Sequence, residues 1–178
     1  MRHLLLNLTT SLDGFIADGT GGIDWIQPPP DDTGGIPADY FELMNSADAL
    51  VMGRSTYESS LSLAGGMDVF EGKRAFVFTS RTGLAPYKGV EFVHEDAVSF
   101  VERMKDEPGG TIWLFGGGQL ATALAAAGLI DDFLIVVQPI LLGEGIRLWQ
   151  DGLRTVSLQL AHTREWPGGL VELRYRPG

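Results

Sequence analysis

Three short stretches of this sequence carry the residue types that bind phosphate groups. They are Gly53-Arg54-Ser55-Thr56, Thr79-Ser80-Arg81 and Gly116-Gly117-Gly118-Gln119-Leu120. Glycine lets backbone N–H groups come close to a ligand, arginine supplies a cation, and hydroxyl groups donate further hydrogen bonds. Each stretch follows an apolar run, and the first and third open a helix whose unpaired N–H groups favour an anion. Each is weak alone, because Ser and Thr are ordinary helix caps and a glycine turn can simply pack a helix onto a sheet.

Taken together, the three stretches predict a ligand with several phosphates, such as a dinucleotide. A Rossmann unit would carry its glycines after the first strand, with an acidic residue about 20 positions later. Here the glycines come late in the chain. The residues that follow the predicted strand 74–79 are Ser80 and Arg81, and neither is acidic. A hydroxyl and a cation suit a 2′-phosphate, which a carboxylate would repel. The sequence therefore predicts NADPH in preference to NADH.

Composition restricts the other ligands. The 178 residues include 13 basic and 23 acidic side chains, and the net charge of −10 opposes binding to nucleic acid or to an anionic membrane. The chain has no cysteine, which excludes disulfides, thiolate metal sites and cysteine nucleophiles. Its histidines, His3, His94 and His162, lie on different predicted strands, so we expect no metal. Neither a secretory signal nor a membrane span of about 20 apolar residues is evident, and we expect a cytoplasmic protein.

Hydrophobic periodicity predicts alternating strands and helices over the first 130 residues and strands alone after them. The predicted strands are 3–9, 49–53, 74–79, 90–94, 111–115, 133–142, 156–163 and 170–175, and the predicted helices are 39–47, 54–61, 96–105 and one after Gly118. Pro139 favours an edge or a bulge in its strand. This order predicts an α/β fold, a three-layer α/β/α sandwich with a mostly parallel central sheet and antiparallel C-terminal strands. We expect one domain over residues 1–178.

Five segments carry a resemblance to a known family. They are TTSLDGFIAD (Thr9–Asp18), ALVMGRSTYE (Ala49–Glu58), FVFTSR (Phe76–Arg81), LFGGGQLATAL (Leu114–Leu124) and IDDFLIVVQPILLGEGIRLW (Ile130–Trp149). In this order they resemble the dihydrofolate-reductase-like superfamily. The resemblance is strongest to the branch that includes the reductase domain of the bifunctional riboflavin-biosynthesis deaminase-reductase.

The resemblance implies an NADPH-dependent reductase that transfers a hydride to a small heterocyclic or carbonyl substrate. It implies that Ala17 and the adjoining loop contact the nicotinamide end of the cofactor. Residues 53–56 would hold phosphate or ribose, Ser80 and Arg81, next to Thr79, would take the 2′-phosphate, and residues 116–120 would surround the pyrophosphate.

On the substrate side, Asp39 resembles the carboxylate that protonates or polarises the substrate in dihydrofolate reductases. Tyr40 is a weaker candidate for the proton donor, and Trp25 resembles a tryptophan at the rim of the active site. Asp13 is either a substrate residue or a turn former, and Asp39 could equally be an acid that caps a helix. The arginine segment and the acid that hold a phosphorylated pyrimidine in the riboflavin-type reductase have no counterpart here. Leu114-Phe115 stand where that acid would be, so the expected substrate differs.

Two further expectations concern other functions and assembly. A nucleotide-binding or flavin-binding protein of the same fold, without reductase activity, is the competing reading, and the direction of the Asp39 side chain would discriminate between them. The segment Phe133 to Gly145 is apolar on both faces, and late strands form the dimer interface in the riboflavin reductase branch. We therefore expect a homodimer that acts on a small molecule.

Overall fold

The computed structural model describes residues 1–27, 42, 45–62, 66–85 and 87–178. Its strands are β1 (Leu4–Ser11), β2 (Phe15–Ala17), β3 (Ala47–Gly53), β4 (Arg74–Phe78), β5 (Val90–Val93), β6 (Thr111–Gly116), β7 (Asp132–Gln138), β8 (Ile146–Arg147), β9 (Leu158–Glu165) and β10 (Val171–Pro177). The described helices are α1 (Arg54–Leu61), α2 (Ala97–Asp106) and α3 (Gly118–Ala126), with a short 3-10 helix at Gly66–Phe70.

The main sheet has eight strands in the order β5-β4-β3-β6-β1-β7-β10-β9. Neighbours from β5 to β7 are parallel, whereas β10 is antiparallel to both β7 and β9. Strands β2 and β8 form a separate antiparallel pair beside it. The predicted fold class, with a mostly parallel sheet and antiparallel C-terminal strands, is confirmed.

Side chains of the central strands point alternately to the two faces of the sheet, and they pack into two separate hydrophobic clusters, one on each face. Ile112 and Leu114 of β6 pack with α2 and α3, whereas Trp113 points to the opposite face, where it joins Tyr57 of α1 and Phe70. Parallel strands covered by helices on both faces are expected to be apolar along their whole length. The clusters therefore form the two interfaces of a three-layer sandwich.

Two predicted boundaries are wrong. Strand β7 ends at Gln138, so Pro139 stands just beyond it, and β7 lies inside the sheet between β1 and β10 rather than at an edge. A proline has no N–H to donate to the neighbouring strand, which explains why pairing stops there. Ala47 belongs to β3 and not to the helix predicted over 39–47. No described helix is long and apolar enough to cross a membrane.

The amino-terminal edge of the sheet is held by Asp132, whose side chain is 1% exposed. Arg174 donates to it at 2.8 Å, His3 Nε2 lies 2.8 Å away and Arg176 Nε donates at 3.1 Å. Burial opposes the charge of Asp132, but the hydrogen bonds from Arg174, His3 and Arg176 outweigh it and lower the pKa of the carboxyl. This carboxylate thus ties β1, β7 and β10 together.

Two buried cations strengthen the same edge. Arg2, with a side chain 4% exposed, pairs with Asp48 and donates through Nε to the carbonyl of Gly110 at 2.9 Å. Lys105, also 4% exposed, donates to Asp131 at 2.6 Å. A buried charge is tolerated only when it is paired and hydrogen-bonded, as both are here.

Candidate functional site

The three predicted phosphate-binding stretches follow strands that are neighbours in the sheet. Arg81 follows β4, Gly53 ends β3 and Gly116 ends β6, and the order β4-β3-β6-β1 continues to the strand that leads to Ala17. Neighbouring strands lie about 4.8 Å apart, so the four strand ends span about 14 Å. Carboxyl ends of parallel strands meet at one edge of a sheet, where ligands bind in open α/β folds. The fold therefore brings the three stretches into one continuous row.

Two of these stretches touch each other. Gly116 and Gly117 have φ angles of +153° and +96°, which residues with a Cβ adopt only under strain. A Cβ added to Gly116 would lie 3.1 Å from Thr56 Cγ2, and one on Gly117 would lie 3.7 Å from the backbone nitrogen of Gly53. The backbone of the Gly116-Gly117 turn thus packs against the Gly53–Thr56 turn, and the two turns form one continuous surface.

The third glycine of the run has a packing role. A Cβ on Gly118 would collide with the carbonyl oxygen of Arg147 and would lie 2.9 Å from that of Leu148. Leu120 is 7% exposed and belongs to the core, whereas Gln119 is exposed. Gly118 thus fits the packing interpretation of the glycine run, and Gly116 and Gly117 remain the glycines predicted to face a ligand.

Two of the helices that start at this edge lack side-chain caps. Gly53 is the N-cap of α1 and Gly117 the N-cap of α3, and neither helix has a side-chain hydrogen bond at its cap. Helix α2 begins in the ordinary way, with the Asp96 carboxylate accepting from Ser99 N at 2.9 Å. An uncapped first turn leaves backbone N–H groups for a ligand to satisfy.

The cationic side chains of the row differ in their availability. Thr79 Oγ1 accepts from the backbone nitrogen of Arg81 at 3.0 Å, which shapes the turn that carries Ser80 and Arg81. Both of those residues are exposed, and Arg81 has no carboxylate partner within the described part of the chain. Arg54, in contrast, pairs with Glu58 one helical turn later at 2.5 Å.

Ala17 is held in place from two sides. It is 7% exposed and pairs with Ile146 across the β2–β8 ribbon, and Gly145 packs directly on its carbonyl group. The next residue, Asp18, accepts from Thr20 and from Gly22 N at 2.9 Å, and these hydrogen bonds lower its pKa. The loop after β2 is thus fixed at its start.

Asp13 joins two loops. Its Oδ1 accepts from Ser11 Oγ at 2.6 Å and its Oδ2 from Gly143 N at 2.8 Å, and Leu142 N adds a longer bond of 3.2 Å. The hydrogen bond from Ser11 is the main reason that the pKa of Asp13 falls to about 2. Both oxygens are occupied by the chain itself, which agrees with the turn-forming alternative.

Of the remaining substrate candidates, only Trp25 lies among the described residues. Trp25 is half-buried and donates through Nε1 to the carbonyl of Gly22 at 3.2 Å. The carbonyl of Gln27 accepts from Gln138 Nε2 at 2.8 Å, which anchors this segment to the end of β7. Asp39 and Tyr40 lie outside the described residues.

The structure adds one polar residue that the sequence analysis did not select. Asn7 on β1 is 6% exposed, and its Nδ2 has no hydrogen-bond partner among the described residues. A single asparagine inside the apolar run HLLLNLT was the available signal. Among the described residues, no three acidic or histidine side chains are grouped closely enough to hold a metal ion.

Comparison with known proteins places this geometry in a family. The model of the RibD C-terminal domain family matches residues 58–171. The chain belongs to this reductase-related family. Two Bacillus subtilis relatives are uncharacterized: YwjB is 33% identical over 98% of this chain and 97% of its own length, and YyaP is 29% identical over 98% and 94%. The predicted resemblance is confirmed.

Solved structures agree with the family. A Shewanella sp. PV-4 protein whose name provisionally assigns it to riboflavin biosynthesis matches with a TM-score of 0.83 and 26% identity, over 100% of this chain and 99% of its own. The Thermotoga maritima deaminase and 5-amino-6-(5-phosphoribosylamino)uracil reductase has a TM-score of 0.72 and 17% identity, over 99% of this chain and 57% of its own. Enterococcus faecalis dihydrofolate reductase, solved with NADP(H), has a TM-score of 0.66 and 17% identity, over 99% and 96%. The last two share the fold.

Proposed function

We propose that this protein is an NADPH-dependent reductase that acts on a small heterocyclic or carbonyl compound. The observation that carries the proposal is the row of strand ends on β4, β3, β6 and β1, which joins the three stretches that were predicted separately to bind anions. A row of about 14 Å suits an extended ligand with several phosphates better than a single anion. When bound, NADPH supplies a hydride to the substrate.

The residues of the row fit the parts of such a cofactor. A Cβ on Gly53 would meet no atom within 4 Å, so the space in front of this turn is open to a ligand. The uncapped first turns of α1 and α3 offer backbone N–H groups to phosphate oxygens, with Ser55 and Thr56 hydroxyls beside them. Ser80 and Arg81 would hold the 2′-phosphate, and Ala17 would lie against the nicotinamide.

Three observations support NADPH as the ligand. The protein carries a net charge of −10, so any anion must be held by local donors that overcome the overall field. Arg81 is a cation that no described carboxylate neutralises. A dihydrofolate reductase of the same fold was solved with NADP(H). Asp39 remains the predicted proton source, and a carboxyl in that role needs a pKa raised by partial burial.

The test is a calorimetric titration of the wild type and of Arg81→Ala with NADPH and with NADH. We expect Arg81→Ala to weaken NADPH binding about 10- to 100-fold and to leave NADH binding unchanged, because charge-assisted hydrogen bonds of this kind contribute about 1.5–3 kcal/mol. Arg103→Ala removes the same charge from α2, where Arg103 pairs with Glu95 at 2.8 Å, and should change neither affinity.

Failure of both nucleotides to bind would contradict the proposal. A flavin titration would then test the competing reading of a nucleotide- or flavin-binding protein without reductase activity. If NADPH binds, substrate screening with Asp39→Asn decides whether the protein is a reductase.

We also propose that the chain forms a homodimer through one face of the last strands. Strand β9 is exposed along its whole length, and Leu160, 56% exposed, stands opposite Tyr175 on the face that continues the α2 and α3 side. An apolar strand face that a partner copy covers would explain this exposure. Leu160→Glu should halve the mass measured by sedimentation, whereas His162→Glu, on the other face, should not. An unchanged mass for Leu160→Glu would argue against this interface.

A further inference from the structure

The further inference concerns His94 and rests on the proposed function. His94 directly follows β5, and β5 is the parallel neighbour of β4 at the edge of the sheet. The row of strand ends therefore extends by one more strand, beyond the turn that carries Ser80 and Arg81. Neighbouring strands lie about 4.8 Å apart, so His94 adjoins the predicted site of the 2′-phosphate.

Two hydrogen bonds hold His94 level with the end of β4. The backbone nitrogen of Thr79 donates to the carbonyl of Val93 at 3.0 Å, so the pairing of β4 with β5 continues to the residue before His94. Nδ1 of His94 lies 2.8 Å from the carbonyl oxygen of Thr79. A carbonyl oxygen only accepts hydrogen bonds, so Nδ1 carries a proton, and this hydrogen bond fixes both the position and the tautomer of the ring.

Thr79 joins His94 to the turn that carries Arg81. Its carbonyl accepts from the imidazole, while its Oγ1 accepts from the backbone nitrogen of Arg81 at 3.0 Å. One residue thus holds an imidazole and a guanidinium on two neighbouring strand ends. His94, Ser80 and Arg81 are all exposed, so a ligand can reach each of them from the solvent.

The second ring nitrogen of His94, Nε2, is the one available to a ligand. Within the described part of the chain, Nε2 has no hydrogen-bond or ion-pair partner. When the ring is neutral and Nδ1 holds its proton, Nε2 can only accept a hydrogen bond. When the ring is protonated, Nε2 donates and the ring carries a positive charge. A phosphate dianion offers only acceptors and negative charge, so it suits the protonated ring alone.

The carboxylates that follow His94 in the chain already have partners. Both oxygens of Glu95 accept from Arg103 Nη2 at 2.8 Å, and Asp96 accepts from Ser99 N at 2.9 Å as the cap of α2. The hydrogen bonds from Ser99 lower the pKa of Asp96, so this carboxylate stays ionised at the pH values at which a histidine titrates. Neither acid is paired with the imidazole.

The other adjoining elements contribute Arg81, which follows β4, and Glu91 on β5. Arginine and glutamate side chains keep their charge between pH 6.5 and pH 8.5, whereas a histidine changes its charge in this range. His94 is thus the group at this end of the row whose charge depends on pH near neutrality.

We infer that His94 is a further specificity-determining residue, and that its protonated ring donates through Nε2 to the 2′-phosphate of NADPH. NADH has no phosphate at this position, so it gains nothing from the protonated ring. The preference for NADPH over NADH therefore increases as the pH falls from 8.5 to 6.5. Binding of NADPH takes up a proton from the solvent, because the neutral ring gains H⁺ and keeps it in the complex. Arg81 supplies the part of the preference that does not depend on pH.

The sign of the pH dependence separates His94 from the phosphate group itself. The second pKa of a phosphate monoester is about 6, and a cation favours its dianion. Contact with Arg81 alone would therefore strengthen NADPH binding as the pH rises, and it would release a proton. Contact with His94 has the opposite effect on both the affinity and the proton exchange.

The test is a calorimetric titration with NADPH and with NADH at pH 8.5, 7.5 and 6.5, each in two buffers of different ionisation enthalpy, which counts the protons exchanged. We expect the ratio of the two affinities of the wild type to rise about five- to tenfold from pH 8.5 to pH 6.5, with proton uptake for NADPH and none for NADH at pH 7.5. In His94→Asn, whose amide keeps a donor for the carbonyl of Thr79, both effects should disappear. His94→Arg, which is always charged, should keep a high ratio at all three pH values.

His162→Asn is the matched control, because His162 is exposed on β9 at the opposite edge of the sheet, and it should keep the wild-type pH dependence. A wild-type preference for NADPH that stays constant or decreases as the pH falls would overturn the inference and leave the proposed function standing. A pH dependence that persists in His94→Asn would overturn it as well. Absence of NADPH binding in the wild type would refute the proposed function itself, and the inference with it.

Discussion

The two ends of the main sheet differ in how completely their polar groups are hydrogen-bonded within the chain. At the amino-terminal end, the buried charges are matched: Arg2 pairs with Asp48, Lys105 with Asp131, and Asp132 with three donors. At the carboxyl-terminal end, two helices start without side-chain caps, and the Asn7 amide has no partner among the described residues. The first end has its hydrogen bonds made within the chain, whereas the second leaves several donors without a side-chain partner in the described part of the chain.

This difference teaches how one small fold separates stability from binding. Parallel strands place all their carboxyl ends on one edge, so ligand groups and stabilising groups need not compete for the same positions. Changes at the amino-terminal end should therefore lower the free energy of unfolding without altering ligand affinity. Changes at the carboxyl-terminal end should lower ligand affinity, by more than their effect on the free energy of unfolding explains.

Replacing Asp132 should destabilise the protein most. Asp132→Ala leaves His3, Arg174 and Arg176 without their common carboxylate, and losing hydrogen bonds to a charged group costs about 1.5–3 kcal/mol. Urea unfolding measures the loss, and Glu71→Ala is the control, because its pair with Lys88 is exposed and should contribute less than about 1 kcal/mol. The NADPH dissociation constant of the folded variant should stay unchanged, and a large rise in it would break the separation.

The two glycines that flank α3 test the carboxyl-terminal end of the sheet. Gly117→Ala and Gly128→Ala both force a side chain into positive φ, at +96° and +69°, so each should lose about 1–2 kcal/mol of stability. Only Gly117 lies in the turn beside Gly53, so only Gly117→Ala should weaken NADPH binding, about tenfold or more by calorimetry. Equal affinities for the two variants would remove residue 117 from the cofactor site.

Asp13 makes a pH-dependent prediction. Its pKa is lowered from 3.8 to about 2, chiefly by the hydrogen bond from Ser11, so folding favours its ionised form. The stability that it contributes is complete above pH 3.8 and disappears as the pH falls through about 2. Urea unfolding between pH 6 and pH 2 should show the wild type more stable than Asp13→Asn at high pH, with the difference shrinking as acid is added. A difference that is constant with pH would contradict this assignment.

Glu58 gives the smallest expected effect. Its ion pair with Arg54 is exposed and contributes less than about 0.5 kcal/mol to the helix. Glu58→Gln frees the guanidinium beside the Gly53 turn and removes a negative charge, so NADPH binding should tighten about twofold at low salt and less at high salt. Glu102→Gln, an acid of α2 with the same change in charge, should have no such effect. Equal tightening in both variants would assign the effect to net charge.

Much of the fold could be predicted because local signals agreed with the tertiary structure. Helix α1 was predicted over 54–61 and observed at Arg54–Leu61, where Gly53 marks its start. The predicted strand β7 is too long, because the apolar run continues to Leu142. In the structure β7 pairs with β1 on one side and β10 on the other, and Pro139 cannot donate a hydrogen bond to either neighbour, so the strand ends before it. The sequence indicates apolar character well, but it does not show which neighbours a strand will have.

The candidate site was predictable in its cofactor half and less so elsewhere. Strand ends that carry Gly, Ser, Thr and Arg can be identified from a few consecutive residues. The role of Gly118, in contrast, depends on the carbonyl groups of Arg147 and Leu148, which are distant in sequence. The hydrogen bonds that Asp13 accepts from the backbone nitrogens of Leu142 and Gly143 likewise cannot be predicted from the local sequence SLDG. Asn7 escaped notice because only a structure reveals that a buried donor lacks an acceptor.

The position of β1 has a consequence for synthesis of the protein. Leu4, Leu5 and Leu6 are 0%, 2% and 0% exposed, and both neighbours of their strand come from far downstream, β6 at Thr111–Gly116 and β7 at Asp132–Gln138. On the ribosome this leucine-rich segment emerges long before either partner strand exists. It must therefore remain without its native partner strands through most of translation, which exposes it to chaperones and to aggregation.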